Sequence, residues 1–106
     1  MNRTIQQEFE VHHSFLDSLC RKLGVKRLRL FGSAVSTDFD EINSDLDLIV
    51  EFYKDTEPGI ADRFMALAVE LELLFNRPVD LLTERSVKNP VFRSTIESSG
   101  LIVYEA

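Results

Sequence analysis

The chain has 106 residues, 44 % of them hydrophobic, with 18 acidic against 12 basic residues for a net charge of −6, and a single cysteine. This length suits one domain, residues 1–106, and excludes scaffolds of ~250 residues such as the eight-stranded α/β barrel. The acidity argues against direct binding to nucleic acid or an anionic membrane surface, and the lone thiol excludes an intramolecular disulfide and any multi-thiolate zinc site. With no apolar signal-like run in residues 1–7 and no stretch of ~18 apolar residues, the sequence reads as soluble and cytoplasmic.

Ile5, Phe9, His12, Leu16, Leu19 and Leu23 recur at steps of four and three, which predicts one amphipathic helix over 5–23, ended by Gly24 as a left-handed cap. Residues 26–31 alternate and then turn apolar, predicting a strand that runs into Gly32-Ser33, with a helical turn just after Ser33. No further periodicity marks 34–44. Residues 45–52 form the strongest predicted strand: Asp45, Asp47, Ile49 and Glu51 leave one face, and Leu46, Leu48, Val50 and Phe52 leave the other.

A loop over 53–59 leads, through Pro58, to a helix carrying Ile60, Phe64, Leu67, Leu71 and Leu74, which Asn76 and Pro78 stop. Residues 79–83 predict a short strand, Asn89-Pro90 the cap and first turn of a short helix through Phe92 and Ile96, and 101–104 a last strand after Gly100. The order predicts a mixed α/β (α+β) sandwich, a small mixed sheet packed against helices.

Between positions 38 and 57 eight carboxylates face one lysine, Lys54, so this stretch carries −7 and the rest of the chain about +1. Within it Asp45 and Asp47 stand two apart on a strand, with alpha carbons ~6–7 Å apart and side chains on one face. Two such carboxylates repel unless a cation sits between them. With no His or Cys nearby in sequence, the oxygen ligands favour Mg²⁺, or Mn²⁺, over zinc. Asp80 stands alone within an apolar strand. If that strand lies beside the first, three carboxylates share a face, enough for two ions and for a general base acting on an attacking hydroxyl. Gly32 allows a triphosphate to approach the backbone, and Ser33 adds a hydroxyl donor.

Leu30-Phe31-Gly32-Ser33 followed by Ser44-Asp45-Leu46-Asp47-Leu48, with Arg77-Pro78-Val79-Asp80-Leu81-Leu82 downstream, resembles the signature of the minimal nucleotidyltransferases within the polymerase-β-like superfamily. The resemblance covers about 28–104. It implies the nucleotidyltransferase (polymerase-β-like) fold and transfer of a nucleoside monophosphate from an NTP, ATP foremost. It also implies Asp45, Asp47 and Asp80 as metal ligands and catalytic carboxylates, and Gly32, Ser33 and Ser44 as nucleotide-binding residues. Many stand-alone members of this size are antitoxins that bind an all-helical HEPN-type ribonuclease toxin in a hetero-oligomer and silence it by adenylylating a tyrosine. This chain departs from the family at one place: Ala34-Val35-Ser36-Thr37 follows the Gly-Ser pair where an arginine and a glycine are common. A guanidinium contact to phosphate is thereby lost, unless Arg77 or Arg85 substitutes.

The same residues admit simpler readings. Asp45, Asp47 and Asp80 could be solvated strand-end carboxylates, but their joint occurrence with Gly32-Ser33 favours a site. Asp38-x-Asp40 begins like a calcium loop, yet Ile42, Asn43 and Ile49 occupy its ligand, glycine and glutamate positions. His12 and His13 diverge by ~100° on a helix and cannot share a ligand; His12 reads as packed and His13 as surface. Cys20 reads as a small core residue. Phe9, Phe15 and the outer side of the 60–75 helix could leave apolar surface for a partner. Three functions follow: a Mg²⁺-dependent adenylyltransferase acting on a partner protein, a binding antitoxin without catalysis, and a small-molecule nucleotidyltransferase. The third is disfavoured because 106 residues leave no second domain to close an acceptor pocket.

Overall fold

Alternating apolar residues on adjacent strands make the central sheet of the computed structural model, which describes residues 3–35 and 45–106. β1 (Val25–Phe31) runs antiparallel to β2 (Leu46–Phe52), placing Leu28 opposite Val50 and Leu30 opposite Leu48. All four side chains are fully buried. β4 (Leu101–Glu105) pairs antiparallel with the other edge of β1, and β3 (Val79–Thr83) pairs parallel with β2, giving the order β3-β2-β1-β4. Parallel neighbours cannot be joined by a tight turn; α3 (Ile60–Phe75) supplies the crossover. The mixed α/β sandwich expected from the sequence is therefore present.

One face of the sheet is covered by α1 (Arg3–Val11), α2 (His13–Leu23) and α3, whose Ile5, Phe9, Leu16, Leu67, Leu71 and Phe75 join the strand leucines in the main core. The single helix predicted over 5–23 is divided at His12, whose φ of −96° and ψ of 12° lie outside the helical basin. The hydrogen bonds from His12 N to Glu8 O and from Leu16 N to His12 O still connect the two halves. The bend wraps the helix around Phe75, whose ring meets Phe9 at 4.5 Å and His12 edge-on at 5.9 Å. Phe9 is thus core rather than surface, because the bend turns α1 inward over Phe75. His13 is exposed, as expected, beside Asp17. Cys20 is fully buried, and that burial pushes its thiol up to about 12, so it is inert as a nucleophile.

The other face carries a smaller cluster, Ile49, Val87 and Ile96 with Phe31 and Leu82 against it, roofed by α4 (Pro90–Ser99). Asn89 caps α4 through hydrogen bonds accepted from Val91 N (2.9 Å) and Phe92 N (3.1 Å), and Pro90 occupies the first turn. A short 3₁₀ turn at Glu84–Ser86, absent from the sequence expectations, joins β3 to this helix. Arg93 holds that turn by donating to Glu84 O, Val87 O and Glu84 Oε1. No described helix is long and apolar enough to cross a membrane.

Candidate active site

The parallel pairing of β2 with β3 sets Asp47 directly opposite Asp80. Across the antiparallel partner, Phe31 lies opposite Asp47. Asp45 immediately precedes β2 and is exposed, Asp47 is half-buried and Asp80 is exposed. All three belong to the amino-terminal ends of two adjacent strands, on the face opposite the α1–α3 layer. Partial burial foremost, then the negative charges of Asp80 and Asp45, raise the Asp47 carboxyl above the ordinary aspartate value. These are the electrostatics of a site in which adding a cation lowers the free energy.

Gly32 closes the second side. It opens a 3₁₀ turn, Gly32–Val35, with φ of +70°, and a Cβ built at this position would collide with the Asp47 carboxylate, its Cγ lying 3.2 Å away. Only glycine satisfies both the left-handed backbone and the approach of the main chain to Asp47. Ser33 follows within the turn and is half-buried, while Ser44 lies outside the described residues. The turn expected just after Ser33 begins two residues earlier, at Gly32. On the flank, Phe31 contacts Phe92 of α4 at 5.7 Å between ring centroids, so an aromatic wall borders the carboxylates. In the sequence Phe92 is legible only as an apolar position of a short helix; the tertiary contact with Phe31 brings it to the strand end.

Among the described residues no three carboxylate, imidazole or thiol side chains converge closely enough to hold an ion. Strand register puts Asp47 and Asp80 on one face, and Asp45, two residues before Asp47, stands at the same strand end. The donor set itself, carboxylate oxygens around a half-buried Asp47, matches a hard divalent cation. One sequence expectation is corrected here: Arg85 does not replace the missing phosphate-binding arginine. Arg77 is tied to Glu8 (3.3 Å) and to Phe75 O on the helical side. Arg85 lies beyond Thr83, at the far end of β2 and β3, in a cavity it shares with Phe52 and Ile60.

Comparison with known proteins identifies the class. A family model for the nucleotidyltransferase domain matches residues 13–103. The chain belongs to the nucleotidyltransferase family. Two proteins of Methanocaldococcus jannaschii, both named "putative protein adenylyltransferase", are 31 % and 30 % identical to it over 101 residues, covering 95 % of this chain and 99 % of each relative. A solved structure of a minimal nucleotidyltransferase, so named provisionally, superposes with a TM-score of 0.69 at 28 % identity, covering 92 % of this chain and 91 % of that one. The fold is also shared with an MNT antitoxin bound to a tri-AMPylated HEPN toxin of Shewanella oneidensis, at a TM-score of 0.62 and 19 % identity over 92 % of this chain and 73 % of that one.

Proposed function

We propose that this chain transfers AMP from ATP to a tyrosine hydroxyl of a HEPN-type ribonuclease toxin and so acts as its antitoxin, working as one domain in the cytoplasm. The observation that carries the proposal is the register of Asp47 against Asp80, with the Gly32 backbone against Asp47. A nucleotidyltransferase needs carboxylates beside a phosphate-binding turn, and these elements supply both. The names of the archaeal relatives favour AMP as the group transferred and protein as the acceptor. The partner is suggested by the toxin–antitoxin complexes that share the fold, one of them described as containing AMP-PNP.

Asp45, Asp47 and Asp80 would hold Mg²⁺, or Mn²⁺, which when bound neutralises phosphate charge and lowers the pKa of a coordinated hydroxyl. Gly32, Ser33 and Ser44 position the triphosphate, and the Gly32 turn lets the phosphates reach the backbone. Asp80, exposed and opposite Asp47, takes the proton from the attacking tyrosine oxygen. That oxygen forms the new bond to the α-phosphorus as the bond to pyrophosphate breaks in line, and pyrophosphate departs. The test is the intact mass of the partner toxin after incubation with this protein, ATP and Mg²⁺, beside an Asp45→Asn variant. Mass increments of whole AMP groups that vanish in the variant are expected; undiminished transfer by Asp45→Asn would overturn the assignment.

One observation favours a non-catalytic antitoxin: no arginine follows Gly32-Ser33, and Arg85 lies at the far end of β2 and β3. An Asp45→Asn, Asp47→Asn double variant separates the two roles. Continued suppression of the co-expressed toxin means that binding suffices; loss of suppression at unchanged expression means that transfer is required.

A further inference from the structure

α3 is apolar on two sides. Leu67, Leu71 and Phe75 are buried in the core, while Met65, Val69 and Leu73, at steps of four on the outer side, are 59 %, 48 % and 71 % exposed. An amphipathic surface helix has one apolar stripe; a helix with two is covered on both sides in its working state. Phe15 of α2, half exposed, extends the outer patch, and between α2 and α3 lies a groove of about 270 Å³ bordered by Phe15, Leu19, Lys22, Ala66 and Glu70. A furrow between two packed helices, edged by residues at four-residue spacing, is shaped to receive the ridge of a third helix.

Charge decides which helix. Asp62, Glu70 and Glu72 rim the stripe on α3, against Lys22 on the α2 side. Arg63, the basic residue of α3, is turned away and donates to Leu23 O, Tyr53 O and Lys54 O. A second copy of this chain would bring the same acidic rim and its own net charge of −6. A helix with Lys or Arg flanking an apolar stripe complements both features. The location agrees with the partner being the acceptor as well: the stripe ends at Leu73, three residues before Asn76, where the chain turns toward β3 and Asp80.

We propose that the Met65–Val69–Leu73 face of α3, with the Phe15 groove, docks an amphipathic helix of the acceptor protein whose apolar stripe is flanked by basic residues. This rests on the acceptor being a HEPN-type toxin, as proposed above. The experiment measures binding of the co-expressed toxin to the full chain by co-purification and calorimetry. It compares wild type, Val69→Glu/Leu73→Glu, Glu70→Lys/Glu72→Lys, and Ile102→Glu on the distant β4 edge.

The expected result is at least a tenfold loss of affinity for the first variant and a smaller, salt-sensitive loss for the second. Ile102→Glu should bind like wild type, and every variant should keep its far-UV circular dichroism and its Mg²⁺-ATP-dependent thermal shift. Undiminished binding by Val69→Glu/Leu73→Glu would overturn the docking face alone, leaving the adenylyltransferase assignment intact. Failure of the wild type to bind the toxin would overturn the partner as well. A self-association in light scattering that Val69→Glu/Leu73→Glu abolishes would reassign the face to a second copy.

Discussion

Asp47 is where chemistry and stability oppose each other. Its carboxyl ionises less readily in the folded protein than in the unfolded chain, first because it is partly buried and then because Asp80 and Asp45 repel it. Between the ordinary aspartate value and the raised one, the folded state holds the extra proton, so stability falls as pH rises through that window. In chelator, Asp47→Asn is therefore expected to raise the Tm at pH 7 and to lose that advantage at pH 3, where the aspartate is protonated in both states. Thermal melts at the two pH values check it. The same substitution should abolish AMP transfer, so a more stable, inactive variant is the outcome to look for. Gly32 is the complementary case. Gly32→Ala places a Cβ in a left-handed backbone and against the Asp47 carboxylate, costing about 1–3 kcal/mol from the backbone alone. Urea denaturation should read that loss together with a loss of nucleotide binding.

At the scale of elements, local signals predicted the strands and helices well where they were self-contained. The Asn89-Pro90 pair predicted the start of α4, and Asn89 does accept from two backbone amides there. Asn89→Ala should cost about 1 kcal/mol, seen as a lower denaturation midpoint. The misreadings came from contacts distant in sequence. The apolar stripe over 5–23 has helical spacing throughout, so its period could not reveal the break at His12 imposed by packing on Phe75. The Glu84–Ser86 turn has only three residues and no period, and it is held by Arg93 of the following helix.

For the molecule as a whole, acidity and function are linked. Eight of the eighteen carboxylates fall between positions 38 and 57, and Asp45 and Asp47 are among them. A triphosphate approaching this region meets like charge unless a divalent cation accompanies it. ATP alone is thus expected to leave the Tm unchanged, whereas Mg²⁺ with ATP should raise it by linkage. Asp45→Asn should abolish the rise. A shift of equal size with ATP in EDTA would contradict a metal-dependent site. The unusual distribution of apolar surface, five exposed large side chains (Val11, Phe15, Met65, Val69 and Leu73) shared among α1, α2 and α3, is a property of the assembled helices and of no one of them.

Residue identity alone determined the candidate chemistry: Gly32, the Asp45–Asp47 spacing and the isolated Asp80 are readable because a carboxylate or a glycine in an apolar strand context is locally anomalous. Element type was readable for the same reason, since periods of two and 3.6 are properties of neighbouring residues. The tertiary structure decided what depends on long-range pairing. It set Asp80 opposite Asp47 through a parallel pair whose partners lie 33 residues apart in the chain, drew Phe92 to Phe31, carried Arg85 to the far end of β2 and β3, and turned Met65, Val69 and Leu73 outward. Pairing register and helix rotation are set by burial of the whole core, and that burial is a sum over residues which no local window of the sequence contains.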